Sequence, residues 1–143
     1  MTDSIYRRLE VWKESMQLAI DTYKVTQTFP KHELYGLTSQ LRRAAVSVPS
    51  NIAEGRGRAS KRDFCRFAVQ ARGSLYELQT QISIADALHY ATSDDLVRLT
   101  KHSEAVVRLL NGLIRHLTEA VDSPPHTPPP TPPPQIPVIY RKR

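Results

Sequence analysis

A chain of 143 residues with a formal net charge of +6 is long enough for one domain with a sizeable core. No apolar run approaches the ~18 residues of a membrane span, and no charged segment followed by a short apolar core opens the chain. The single cysteine, Cys65, excludes an internal disulfide and a cysteine-based metal knuckle, so the composition predicts a soluble, reduced, cytoplasmic protein without a cofactor.

Four amphipathic segments follow one another. In the first, Leu9, Trp12, Met16, Ala19, Tyr23 and Thr26 step by three or four residues, and Phe29-Pro30 closes it. The second runs from about Gly36 to Glu54. Leu41, Ala44, Val48 and Ile52 form its apolar face, and Gly55 stands where a helix would end. Pro49 removes one backbone donor and crowds the carbonyl of Ala45, which predicts a kink. Ser47, Ser50 and Asn51 form, with Glu54, a polar stripe placed to satisfy the freed backbone groups.

The third segment opens at Ser60-Lys-Arg-Asp63, a capping-box variant with Asp in place of Glu or Gln. Its apolar face is Phe64, Phe67, Ala68, Ala71, Leu75, Leu78, Ile82 and Ala85. Cys65 beside Phe64 and Phe67 reads as a small buried or half-buried thiol with no neighbouring base. The fourth opens at Thr92-Ser93-Asp94-Asp95, with cap residues and acids suited to a helix N-terminus. Leu96, Leu99, Ser103, Val106, Leu110, Leu113 and Leu117 then alternate steps of three and four, the period of bundle packing. Strand signals are absent and the connections are short. The prediction is an all-α, antiparallel up-down-up-down four-helix bundle over residues 1–122.

After Asp122 the composition changes. Nine of the eleven prolines lie beyond Ser123, in SPPHTPPPTPPPQIP. Residues 123–143 therefore read as a disordered, extended tail that populates polyproline II. It ends in Val138-Ile139-Tyr140 and a basic tip, Arg141-Lys142-Arg143, with no partner evident from the sequence.

Between Gln40 and Arg72 the charge is concentrated. Arg42, Arg43, Arg56, Arg58, Lys61, Arg62, Arg66 and Arg72 face only Glu54 and Asp63. Such a cluster suits a polyanion or an acidic protein surface, or is a solvated helix face.

The residues LEVWKES (Leu9 to Ser15), TFP (Thr28 to Pro30), YGLTSQLRRAAVSVPSNIAEG (Tyr35 to Gly55) and FAVQARGSLYELQTQ (Phe67 to Gln81) carry a resemblance. The chain resembles the bacterial four-helix-bundle family that includes proteins encoded in intervening sequences of 23S ribosomal RNA genes. The fourth helix matches more loosely, and the proline-rich tail is outside the family pattern. The resemblance implies a left-handed bundle assembled into a ring of five subunits, with no enzymatic activity common to the family. More distantly, the chain is similar to accessory proteins of diversity-generating retroelements, which act beside a reverse transcriptase on nucleic acid.

Enzyme signatures are weak. Asp86-x-x-His89 has half the carboxylate–histidine spacing of a di-iron bundle but lacks the second pair and two further inward glutamates. Gly55-Arg56-Gly57-Arg58 follows no strand and precedes no Gly-Lys-Ser/Thr, so it is not a phosphate loop. The expectation is a non-catalytic protein without metal. Trp12, Tyr23, Tyr76 and the Leu-rich faces offer more apolar surface than one small bundle needs, which predicts a closed homo-oligomer, and the resemblance implies that it is a pentamer. Two functions fit: an oligomeric protein binding RNA or DNA through its arginines, or a scaffold whose arginines meet an acidic partner or another subunit.

Overall fold

The computed structural model describes the backbone of residues 2–122, the side chains of residues 10–122, and Pro128, Pro130 and Thr131. The elements are α1 (Thr2–Thr26), a single 3-10 turn (Lys31–Glu33), α2 (Leu37–Arg56), α3 (Lys61–Ala87) and α4 (Ser93–Asp122). No strand occurs among the described residues. The predicted tail falls outside them, except that Pro128, Pro130 and Thr131 are exposed and without regular structure.

Each helix packs on its neighbours in sequence, and α1 closes the ring against α4. Cross-helix pairs give the directions. Ser47 meets Ser74 at 2.8 Å while Gly55 lies against Phe67, so α2 and α3 are antiparallel. Arg72 reaches Asn111 at 3.1 Å and Gln79 reaches Ser103 at 3.1 Å, so α3 and α4 are too. His102 lies 3.0 Å from Glu14 and 3.4 Å from Asp21, while Asp95 and Arg98 line a cleft with Asp21 and Lys24, which sets α4 against α1. The four helices therefore alternate in direction.

The apolar stripes of α3 and α4 are buried as their spacing predicts. All eight named positions of α3 and all seven of α4 are in the interior, joined by Gln81. Burial of each large aliphatic is worth about 1.5–3 kcal/mol, so these two helices supply much of the cohesion. On α2, Leu41, Ala44, Val48 and Ile52 are buried with Leu37, Ala45 and Pro49, and the helix runs through Pro49 unbroken.

Two expectations need correction. The buried face of α1 is Val11, Ser15, Leu18, Ala19, Thr22 and Thr26. Met16 and Tyr23 are exposed, Trp12 is only partly buried, and Leu9 lies outside the described side chains. The core accepts the hydroxyls because each bonds to its own helix: Ser15 to the carbonyl of Trp12, Thr22 to Leu18 and Thr26 to Thr22. The second correction concerns Gly55, which does not end α2. The helix continues to Arg56 with Gly57 as its cap residue. Gly55 is buried against α3, where an added Cβ would lie 2.7 Å from Phe67 Cβ.

The caps follow the expected chemistry. The N–H of Asp63 donates to Ser60 Oγ at 3.1 Å, and that of Asp95 to Thr92 Oγ1 at 3.2 Å. At the end of α3, the N–H of Tyr90 bonds to Ala85 O and that of His89 to Asp86 O, a Schellman pair. His89 occupies the left-handed position of that motif, with φ 58°. Its place beside Asp86 is thus a helix-stop geometry. Glycine adopts this conformation without the Cβ penalty, so His89→Gly is expected to raise stability by up to about 1 kcal/mol in urea unfolding.

Candidate nucleic-acid interface

The α2–α3 turn gathers five of the eight predicted basic residues. Arg56, Arg58, Lys61, Arg62 and Arg66 lie on it or on the first two turns of α3, and all are exposed. Arg58 pairs with Glu54 at 3.1 Å, and Arg66 with Asp63 at 3.6 Å. The guanidiniums of Arg58 and Arg66 also stand over the ring of Phe67, at 4.9 and 4.8 Å from its centroid. Exposed cation–π contacts are worth about 0.5–1 kcal/mol each. Phe67 therefore serves two purposes: it packs against Gly55 in the interior and offers a platform that orients two arginines. Nothing in a core-spaced phenylalanine distinguishes that second use. The signal was its position one residue after Arg66 and opposite a Gly-Arg-Gly-Arg turn.

Arg56, Lys61 and Arg62 form no ion pair among the described residues. Their charge is free to meet an external anion. The N–H groups of Gly57 and Arg58 are committed internally, to Ala53 O, Glu54 O and Gly55 O, while those of Lys61 and Arg62 at the start of α3 form no backbone hydrogen bond among the described residues. Anion contacts at this turn therefore draw on side chains and on the start of α3.

The remaining three cations go elsewhere. Arg42 Nε donates to Thr26 Oγ1 at 2.9 Å and its guanidinium stacks 4.6 Å from the Tyr23 ring centroid, fastening α2 to α1. Arg72 is half-buried and donates to Asn111 Oδ1, fastening α3 to α4. Arg43 is exposed on α2, roughly 20 Å along the axis from Arg56.

The polar stripe is a packing device between α2 and α3. The Ser47 and Ser74 hydroxyls share a hydrogen bond at 2.8 Å. Asn51 Nδ2 donates to Ser47 O at 2.8 Å and to Ser47 Oγ at 3.0 Å, and Ser50 Oγ donates to Val46 O at 2.8 Å. These side chains thus serve the carbonyls of Val46 and Ser47, one and two residues beyond Ala45. Glu54 belongs with Arg58 on the surface.

Among the described residues, no group of His, Cys, Asp and Glu could hold a metal ion, and no helix is long and apolar enough to cross a membrane. Cys65 is half-buried with Sγ 3.6 Å from Thr118 Oγ1.

Comparison with known proteins agrees with this architecture. A crystal structure of a protein of unknown function from the S23 ribosomal protein family of Bacteroides thetaiotaomicron is similar to this chain. It shares 18% sequence identity at a TM-score of 0.71, with 76% of this chain and 98% of that chain covered. A search of the curated proteins returns no match. The family model for the 23S rRNA-intervening sequence protein matches residues 7–112, which include all of α2 and α3 and most of α1 and α4. The chain belongs to the 23S rRNA-intervening sequence protein family.

Proposed function

We propose that this protein is a non-catalytic, oligomeric, cytoplasmic bundle that binds structured RNA through the α2–α3 turn. The observation that carries the reading is the grouping of unpaired Arg56, Lys61 and Arg62 with two arginines held on Phe67. Arginine pairs bidentately with phosphate, and arginines already oriented by an aromatic face lose less freedom on binding. No open aromatic platform interleaves the turn, so phosphate and shape dominate over base stacking. The family's association with an rRNA intervening sequence favours RNA over DNA. Exposed Val69, Tyr76 and Ile84 on α3 support self-association, and a closed ring of five would repeat the basic turn around one axis.

The test is a salt titration of binding to two RNA hairpins of unrelated sequence. Wild-type affinity should fall steeply with salt. Arg56→Ala/Arg58→Ala should weaken both hairpins about equally and lower the salt slope by about 1 per lost contact. Sedimentation equilibrium of the same samples should return the same oligomer for both proteins. Dissociation of the double variant would place those arginines in the subunit interface and favour the scaffold function. Absence of RNA binding by wild type at low salt would sink the nucleic-acid reading.

A further inference from the structure

A groove of about 590 Å³ lies on the outer face of the bundle, between α1 and α2. Trp12, Met16, Ile20 and Tyr23 form one wall, and Val46 and Pro49 the other. Met16, Ile20, Tyr23 and Val46 are exposed by 37–44%. The groove is apolar, and two of its lining residues, Trp12 and Tyr23, carry a donor. Among the described residues, neither the Trp12 indole N–H nor the Tyr23 phenol forms a hydrogen bond.

We propose that this groove receives residues 132–137, the Pro-Pro-Pro-Gln-Ile-Pro segment of the same chain's tail. The chemistry is complementary. Prolines present apolar rings and carbonyl acceptors with no backbone donor, and polyproline II leaves those carbonyls unbonded. Grooves lined by aromatic rings with an N–H or O–H at the rim hold such segments. A helix from a second copy fits less well. Its carbonyls are already bonded internally, so it would cover the Trp12 and Tyr23 donors without pairing them.

The reach is also right. His102 of α4 lies beside Glu14 and Asp21 of α1. From there α4 runs about 30 Å further to Asp122, which brings its end level with the start of α1. Trp12 stands roughly 20 Å along α1 from that level, on a helix about 10 Å to the side. Nine residues, 123–131, would reach about 28 Å at ~3.1 Å each, which is enough for that path. Pro128, Pro130 and Thr131 are exposed, as a spacer would be. Residues 132–137 then span about 19 Å, against roughly 17 Å from Trp12 to Tyr23 along the helix.

Trp12 is the only tryptophan, so its emission reports on the groove in the full-length chain. The test compares wild type with Pro132→Ser/Pro133→Ser/Pro134→Ser. The variant should show a red shift of Trp12 emission and a higher acrylamide quenching constant, with unchanged circular dichroism. Identical emission and quenching in the two proteins would overturn the proposal. A Trp12→Phe chain with an intact tail, co-refolded in excess with the triple variant, should leave the emission red-shifted. Restored protection would assign the docked segment to another copy and overturn the intramolecular assignment.

Discussion

Gly55→Ala should lower the unfolding free energy by about 1–3 kcal/mol, the cost of overpacking a filled interface. The new Cβ would stand 2.7 Å from Phe67 Cβ and 3.0 Å from Phe64 Cδ1. Phe67 Cβ is fixed to the α3 backbone, so no rotamer change relieves the clash and α2 must move away from α3. That movement also shifts the ring under Arg58 and Arg66. Gly73→Ala is the control. It has nothing within 4 Å of an added Cβ and sits inside α3, so it should gain about 0.5–1 kcal/mol from helix preference. Urea unfolding of both variants measures the contrast. A loss below a few tenths of a kcal/mol for Gly55→Ala would show that the two helices approach less closely.

Asn51→Leu should cost about 1–2 kcal/mol. Its amide donates to both the carbonyl and the hydroxyl of Ser47, and that hydroxyl is bonded to Ser74 across the α2–α3 seam. Leucine removes both bonds and places an apolar branch beside two hydroxyls. A double-mutant cycle with Ser74→Ala measures the coupling. Additive losses would show that the three side chains act separately.

How far the fold could be read from sequence varied by helix, for physical reasons. The α3 and α4 stripes consist of aliphatic, aromatic and small residues at unbroken bundle spacing, and every named position is buried. The α1 stripe placed Ala19 and Thr26 rightly but misled elsewhere, because Ser15 and Thr22 enter the core with their hydroxyls bonded to their own helix, while Met16 and Tyr23 stay outside. Periodicity weighs a threonine as polar and cannot see that bond. Gly55 misled because a glycine near a helix end suggests a stop, whereas its cause is an approach by Phe67 from a different helix. The basic cluster was legible as composition but not as a surface. Helix length separates Arg43 from the turn, and Arg42 and Arg72 are taken up by Thr26, Tyr23 and Asn111.

The hydroxyl-lined seam of α1 makes the bundle's cohesion uneven. Hydrogen bonds from Ser15, Thr22 and Thr26 to their own helix survive when α1 lifts away, so they give little resistance to lifting. Only Val11, Leu18 and Ala19 among the described residues of α1 bury apolar side chains fully, against six aliphatics on α4. Sub-global opening follows the weakest apolar seam. The first partly unfolded form expected is therefore a three-helix body of α2, α3 and α4 with α1 detached, and native-state hydrogen exchange should show the amides of α1 opening first. In that form the basic turn and its Phe67 platform persist, while the Trp12 groove has ceased to exist.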